Sequence, residues 1–121
     1  MCIREQHKED SIRFYNLSQN YHKLWDKRVK CMRALDTKGN LRPLPEDFNP
    51  QFQTGDYTEG NPWQYAFLVP HDVNGLAELM GGKEALDAHL DALLNASSDL
   101  GEHHNPDISG LIGQYAHGNE P

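Results

Sequence analysis

Apolar residues recur at helical spacing in the first quarter of the chain. The positions that follow one another at steps of three and four residues are Phe14, Leu17, Tyr21 and Leu24. This spacing is typical of one face of an amphipathic helix, and Ile12 and Trp25 widen the same stripe. The pattern therefore predicts a helix over residues 9–28.

The next apolar stretches are short and surround a polar turn. Residues 32–35 and 41–44 flank the segment 36–40, whose Gly39 and Asn40 tolerate positive φ. This arrangement predicts a short β-hairpin. Residues 43–60 combine several prolines with isolated aromatic residues, which predicts a long ordered loop, and loops of this kind often carry function.

Three further helices are predicted in the second half. Pro62 suits the first turn of a helix, because its missing N–H needs no partner there. His71 or Asp72 can cap a second helix that runs to Met80, and the Gly81-Gly82 pair ends it. A third helix, over 83–95, has leucines on one face and aspartates opposite. The expected fold class is mainly α, with one short β-hairpin.

Charge and composition argue against some classes of binding partner. The net charge of −7 disfavours a nucleic-acid or anionic membrane surface, since phosphate binding depends on clustered lysine and arginine. The basic residues between Lys23 and Arg33 are interrupted by Asp26, which predicts a solvated helix face. Cys2 and Cys31 lie too far apart for a CxxC motif and are expected to be free thiols.

Residues 55–65 form the first candidate site. They bring together two carboxylates, amides and aromatic rings, the mixture that binds sugar rings and hydroxyl groups. Glu59 is the candidate general acid, because a carboxyl group in an apolar pocket keeps a proton that it can donate to a leaving oxygen. The alternative is that Asp56 and Glu59 cap the helix that follows.

The second candidate site is His117-Gly118-Asn119-Glu120. Glu120 offers an oxygen ligand of the kind that calcium prefers, although calcium takes about six to eight oxygens and the others must come from elsewhere. The adjacent His103-His104 pair is interpreted as surface rather than as a metal site. For His71-Asp72, a hydrogen bond at a helix start is favoured over a catalytic pair.

Four strings in these regions carry a family resemblance. They are TEGNPWQY at 58–65, VPHDV at 69–73, LMGGKE at 79–84 and GQYAHGNEP at 113–121. With them the sequence resembles glycoside hydrolase family 92, the bacterial calcium-dependent exo-α-mannosidases. The resemblance covers most of the chain.

The resemblance implies an inverting mechanism, a mannose-containing glycan such as an N-glycan as substrate, and calcium in the complete enzyme. By position, Glu59 matches the family's general acid, Glu120 is implied as a calcium ligand, and Trp63, His117 and Asn119 are implied in substrate binding. Linkages of the α-1,2 type are the most common in the family, but Gly118 departs from the glutamate associated with them. A periplasmic or secreted location is also implied.

The family fold implies that residues 1–121 are one fragment of an (α/α)6 barrel, with no second domain. A chain that ends on a dense motif is expected to be truncated. The general base is expected to lie outside it, so the isolated chain should be inactive. Exposed barrel faces could then drive self-association. The alternative is a free-standing helical module that binds a carbohydrate or a protein without catalysis.

Overall fold

In the computed structural model, which describes residues 7–52, 54–102 and 108–116, the first helix is shorter than the periodicity predicts. Helix α1 spans Lys8–Ser18, a 3-10 helix spans Asn20–Leu24, and the chain is extended from Trp25. None of the α1 side chains is buried, so its apolar stripe does not contribute to the core. The prediction of one continuous helix over 9–28 was wrong beyond Ser18, because residues 20–24 form a separate 3-10 helix and Trp25 enters a strand.

The strands form a two-stranded antiparallel hairpin. Strand β1 (Trp25–Asp26) pairs with β2 (Cys31–Met32), with Trp25 opposite Met32. The predicted turn at 36–40 is also present, but a single bridge between Leu35 and Leu41 closes it. The predicted turn at 36–40 is therefore correct. The two regular strands lie earlier in the chain, at 25–26 and 31–32.

Asp26 organises the basic residues around it. It is buried on β1 and forms ion pairs with Arg28 at 2.8 Å and with Arg33 at 2.9 Å. The hydrogen bonds from Arg28, and then those from Arg33, hold the pKa of Asp26 far below its usual range, although burial opposes this shift. The prediction of a solvated helix face was wrong for Arg33, which is buried, and for residues 25–33, which are not helical. The other basic residues are exposed as predicted; they are Lys23, Lys27, Arg28 and Lys30.

The later helices agree with the sequence patterns. Helix α2 spans Pro62–Tyr65, α3 spans Val73–Met80 and α4 spans Lys83–Asn95. The Asp72 side chain caps α3 by accepting a hydrogen bond from Gly75 N at 3.0 Å, which confirms the helix-start interpretation. Gly81, at a φ of +111°, ends α3 in the left-handed region.

The core lies between the hairpin, α2, α3 and α4. Its buried members are Tyr21, Trp25, Met32, Ala66, Val69, Leu76, Ala77, Met80 and Leu86. Tyr21 also donates a hydrogen bond from its hydroxyl to Asp72 Oδ2 at 2.8 Å. That hydroxyl would lie 2.2 Å from a Cβ atom at position 75, so any larger residue there would force Tyr21 to shift. The 3-10 helix is thus fixed to the start of α3.

The mainly helical fold class with a short hairpin is confirmed for the described residues. Within those same residues, no helix combines the length and apolar character that crossing a bilayer would need. The Cys31 thiol is buried and free, and burial together with the nearby Asp26 charge raises its pKa to about 12. Cys2 lies outside the described residues.

Candidate active site

The loop that carries Glu59 is anchored by two tyrosines. Tyr57 is buried, and its hydroxyl donates a hydrogen bond to Met32 O at 2.6 Å. Its ring meets the Tyr65 ring edge-on, with 5.2 Å between the centroids. Tyr65 in turn donates from its hydroxyl to Thr58 O at 2.8 Å. The segment before Glu59 is therefore held against both the hairpin and α2.

Glu59 itself is exposed and adopts a left-handed backbone conformation, with a φ of +50°. This conformation is uncommon for residues other than glycine and persists where the surrounding structure enforces it. Gly60 allows the Tyr65 ring to approach this loop closely, because a Cβ atom there would lie 2.9 Å from Tyr65 Cε2. Such strain at a single polar residue is a feature of functional sites.

Asn61 provides the cap of α2. Its side chain accepts a hydrogen bond from Gln64 N at 2.9 Å, while its own N–H donates to Gln64 Oε1 at 3.0 Å. This reciprocal pair is a capping box. The alternative role of Asp56 and Glu59 as helix caps was therefore wrong. Asp56 forms an ion pair with Arg42 instead.

A buried network of amides joins this loop to the distant segment 113–116. Asn61 Nδ2 donates to Gln51 O at 2.8 Å and to Gln114 Oε1 at 2.7 Å. Gln64 Nε2 donates to Gln114 O at 2.9 Å. Asn61 and Gln114 are both buried. This network could not be predicted from the sequence, although its three side-chain amides belong to two of the matching strings, 58–65 and 113–121.

Glu59 borders an open groove of about 760 Å³. Apolar and aromatic side chains form much of its wall, namely Tyr65, Phe67, Leu68, Pro70, Leu93 and Tyr115. Among the residues that the structure describes, Glu59 is the only carboxylate in that lining. A single carboxylic acid beside aromatic faces suits a sugar, whose apolar faces stack on rings while its oxygens accept protons.

The structure separates Trp63 from Glu59. Trp63 does not line the groove, and its ring centroid lies 6.2 Å from that of His89 on α4. Its Nε1 is buried without a hydrogen-bond partner in the part of the chain that the structure describes. The substrate-binding role of Trp63 stays a prediction.

The other predicted site residues lie outside the described ranges. They are His117, Asn119 and Glu120, together with the His103-His104 pair. Tyr115 and Ala116, which immediately precede the first group in the sequence, do line the groove. Within residues 7–52, 54–102 and 108–116, no cluster of three or more potential metal-ligating side chains occurs. The fit of a calcium ion to Glu120 therefore stays a prediction.

Comparison with known proteins identifies the family. Residues 1–121 match the model of the glycosyl hydrolase family 92 catalytic domain. The chain is similar to the solved family GH92 alpha-mannosidase BT3965 from Bacteroides thetaiotaomicron, with 38% sequence identity over 93% of this chain and a TM-score of 0.69. In complex with mannoimidazole, that enzyme gives 36% identity over 95% of this chain and a TM-score of 0.72.

A second solved relative is the family GH92 inverting mannosidase BT2199 from Bacteroides thetaiotaomicron VPI-5482, with 32% identity over 93% of this chain and a TM-score of 0.68. The chain spans only 15% of the first of these solved chains and 16% of the other two. No curated protein matches the chain. The match to the family model over the whole length of the chain confirms the resemblance seen in the sequence. The chain belongs to the catalytic domain of glycosyl hydrolase family 92.

Proposed function

We propose that this chain supplies the general acid, Glu59, of an inverting α-mannosidase that releases terminal α-linked mannose from glycans. The observation that carries the proposal is the exposed Glu59 carboxylate at the edge of the open groove, on a loop whose flanking residues are fixed. The family match and the mannoimidazole complex of a solved relative support mannosides as the substrate class.

In this proposal the Glu59 carboxyl group donates its proton to the glycosidic oxygen as the bond from that oxygen to the anomeric carbon breaks. Water attacks the anomeric carbon from the opposite face, and a second carboxylate accepts its proton. In inverting enzymes the two carboxyl groups lie about 6.5–9.5 Å apart, which leaves room for that water. Only the acid is assigned here.

The groove suits the departing part of the substrate. Tyr65 and Tyr115 offer aromatic rings, and Phe67 adds apolar surface on the same wall. Trp63, His117 and Asn119 remain the proposed contacts to the terminal mannose. Calcium, held in part by Glu120, would bind and orient the mannose hydroxyls. Substrates with α-1,2 linkages are the first to test, and Gly118 is the position to vary.

We further propose that residues 1–121 belong to one (α/α)6 barrel domain. The hairpin of α3 and α4, joined through Gly81-Gly82, is the kind of unit from which such barrels are built. The exposed apolar side chains of α1 support burial against further barrel helices or another copy of the chain; they are Ile12, Phe14, Tyr15 and Leu17.

The decisive experiment is the Glu59→Gln variant of the complete protein that carries this chain. It should be assayed on an α-linked mannobiose, whose sugar leaving group needs protonation, and on dinitrophenyl α-mannoside, whose leaving group does not. We expect kcat/KM to fall by about 10²–10⁴-fold on the first substrate and by much less on the second.

Asp56→Asn is the matched control, because Asp56 lies three residues from Glu59 in the sequence, pairs with Arg42 and does not line the groove. It should leave both rates nearly unchanged. Equal losses on both substrates with Glu59→Gln would contradict the general-acid role. Absence of mannosidase activity in the unaltered protein would favour the alternative of a binding module.

A further inference from the structure

We propose that Gln114 is a positioning residue for the general acid, fixing the loop that carries Glu59 through its hydrogen bond with Asn61. This inference rests on the proposed function of Glu59. Gln114 does not line the groove, so its effect on the reaction must pass through the loop.

The polar groups of Gln114 are engaged in several directions at once. Its side chain is fully buried, its Oε1 accepts from Asn61, and its Nε2 donates to the carbonyls of Ser97 and Asp99. Its backbone carbonyl accepts from Gln64. Moving the amide would leave several buried polar groups without partners, which is costly in a low-dielectric interior. Gln114 is therefore a rigid support.

The backbone of this support is fastened to the end of α4. Gln114 N donates to Leu93 O at 2.8 Å. Gly113, at a φ of +58°, allows this approach, since a Cβ atom there would lie 2.3 Å from the same carbonyl oxygen. The end of α4 therefore holds Gln114 in addition to its hydrogen bonds with Asn61 and Gln64.

Gln114 is linked to Glu59 through Asn61. Asn61 is two residues after Glu59, and its amide links Gln114 and Gln51 while its Oδ1 caps α2. Glu59 keeps its left-handed backbone only while both flanks are fixed, at Thr58 by Tyr65 and at Asn61 by Gln114. A displacement of about 1 Å in a catalytic group can cost about 10²-fold in rate.

The test uses Gln114→Met in the complete protein, because methionine keeps the length of the side chain but removes its amide. We expect kcat/KM on the α-linked mannobiose to fall by about 10–100-fold. On dinitrophenyl α-mannoside, which does not need the acid, the fall should be less than about threefold. A residue that only stabilised the fold would lower both rates together.

Asn61→Ser removes the same hydrogen bond from the other side, together with the bond to Gln51 O, because serine still caps α2 but cannot reach Gln114. It should show the same selective loss, and it decides the matter if Gln114→Met does not fold. Gln19→Met is the matched control, since Gln19 is a half-buried amide that donates to Asp72. For this variant, kcat/KM on both substrates should be unchanged.

The outcomes separate this inference from the proposed function. If Glu59→Gln shows the selective loss while Gln114→Met and Asn61→Ser lower both rates equally or neither, the positioning role is wrong and the general-acid role stands. If Glu59→Gln itself shows no selective loss, the general-acid role fails and the positioning role fails with it.

Discussion

The side-chain amide of Asn61 donates a hydrogen bond to Gln114 Oε1 at 2.7 Å and joins two buried residues that are 53 positions apart in the chain. Asn61 stands two residues after Glu59, and Gln114 lies three residues before His117. The loop that carries Glu59 and residues 113–116, which precede the second candidate site in the sequence, are therefore parts of one hydrogen-bonded unit.

Gly113→Ala should destabilise the protein. Alanine at a φ of +58° is strained by about 1–3 kcal/mol, and its Cβ would also collide with the Leu93 carbonyl oxygen. Gly39→Ala is the matched control, because Gly39 also has a positive φ, +83°, but open space around it. Thermal unfolding should show a clearly larger loss for Gly113→Ala. Equal losses would mean that the close approach to α4 contributes nothing.

Asp26→Ala should be among the most damaging single changes. Among the described residues, it removes the carboxylate that pairs with the buried Arg33. Arg33 would keep the carbonyls of Arg42 and Pro43 and the Phe48 ring, none of which carries a negative charge. Breaking a buried ion pair by removing one partner costs about 3–5 kcal/mol.

Asp56→Ala, which breaks the more exposed pair with Arg42, serves as the comparison and should cost less than about 1 kcal/mol. Thermal or denaturant unfolding of the two variants measures the difference. Similar losses for both would contradict the structural role assigned to Asp26.

His89 should make stability depend on pH. Its ring lies among Trp63 and Phe67, and burial, together with the Lys30 charge, lowers its pKa. The unfolded chain therefore takes up the proton first as the pH falls below about 6.5. The stability that depends on neutral His89 is present above that pH and is lost as the pH falls toward the folded pKa.

Unfolding temperatures compared at about pH 7.5 and about pH 5.5 test this expectation. His89→Gln should reduce the loss on acidification, whereas His22→Gln, at an exposed position, should not. If His89→Gln keeps the full pH dependence of the unaltered protein, the dependence comes from other groups.

Local signals predicted the second half of the fold well. Asp72 as a cap, Gly81 as a terminator and the leucine spacing over 83–95 each act within one helix, so the neighbouring sequence contains the necessary information. The first half depends on distant contacts. Trp25 fits a helical stripe by spacing, but its pairing with Met32 determines its conformation instead.

The candidate site also combines features with local sequence signals and features that depend on distant contacts. Glu59 as the general acid rests on its chemical neighbours and the family resemblance and stays a prediction, whereas the helix start at Pro62 was predicted correctly from proline geometry. Asn61 as the cap was missed although its signal is local, because Asn61 and Gln64 have capping-box spacing ahead of Pro62. Gln114 as its partner could not be predicted, because that contact spans 53 residues. The burial of Asp26 and its ion pair with Arg33 were not predicted, because the hairpin brings these two residues together.

The contact between Tyr21 and Gly75 constrains how related sequences can diverge. The tyrosine hydroxyl occupies the space that a side chain at 75 would need, and it is also the group that binds Asp72. A homologue with alanine at 75 should therefore have phenylalanine or a smaller residue at 21 and a displaced or different side chain at 72, whose carboxylate would lie 2.5 Å from the added Cβ atom. It should lose the hydrogen bond between positions 21 and 72. Positions 21 and 75 are therefore expected to co-vary among related sequences, so that a change at one is accompanied by a change at the other.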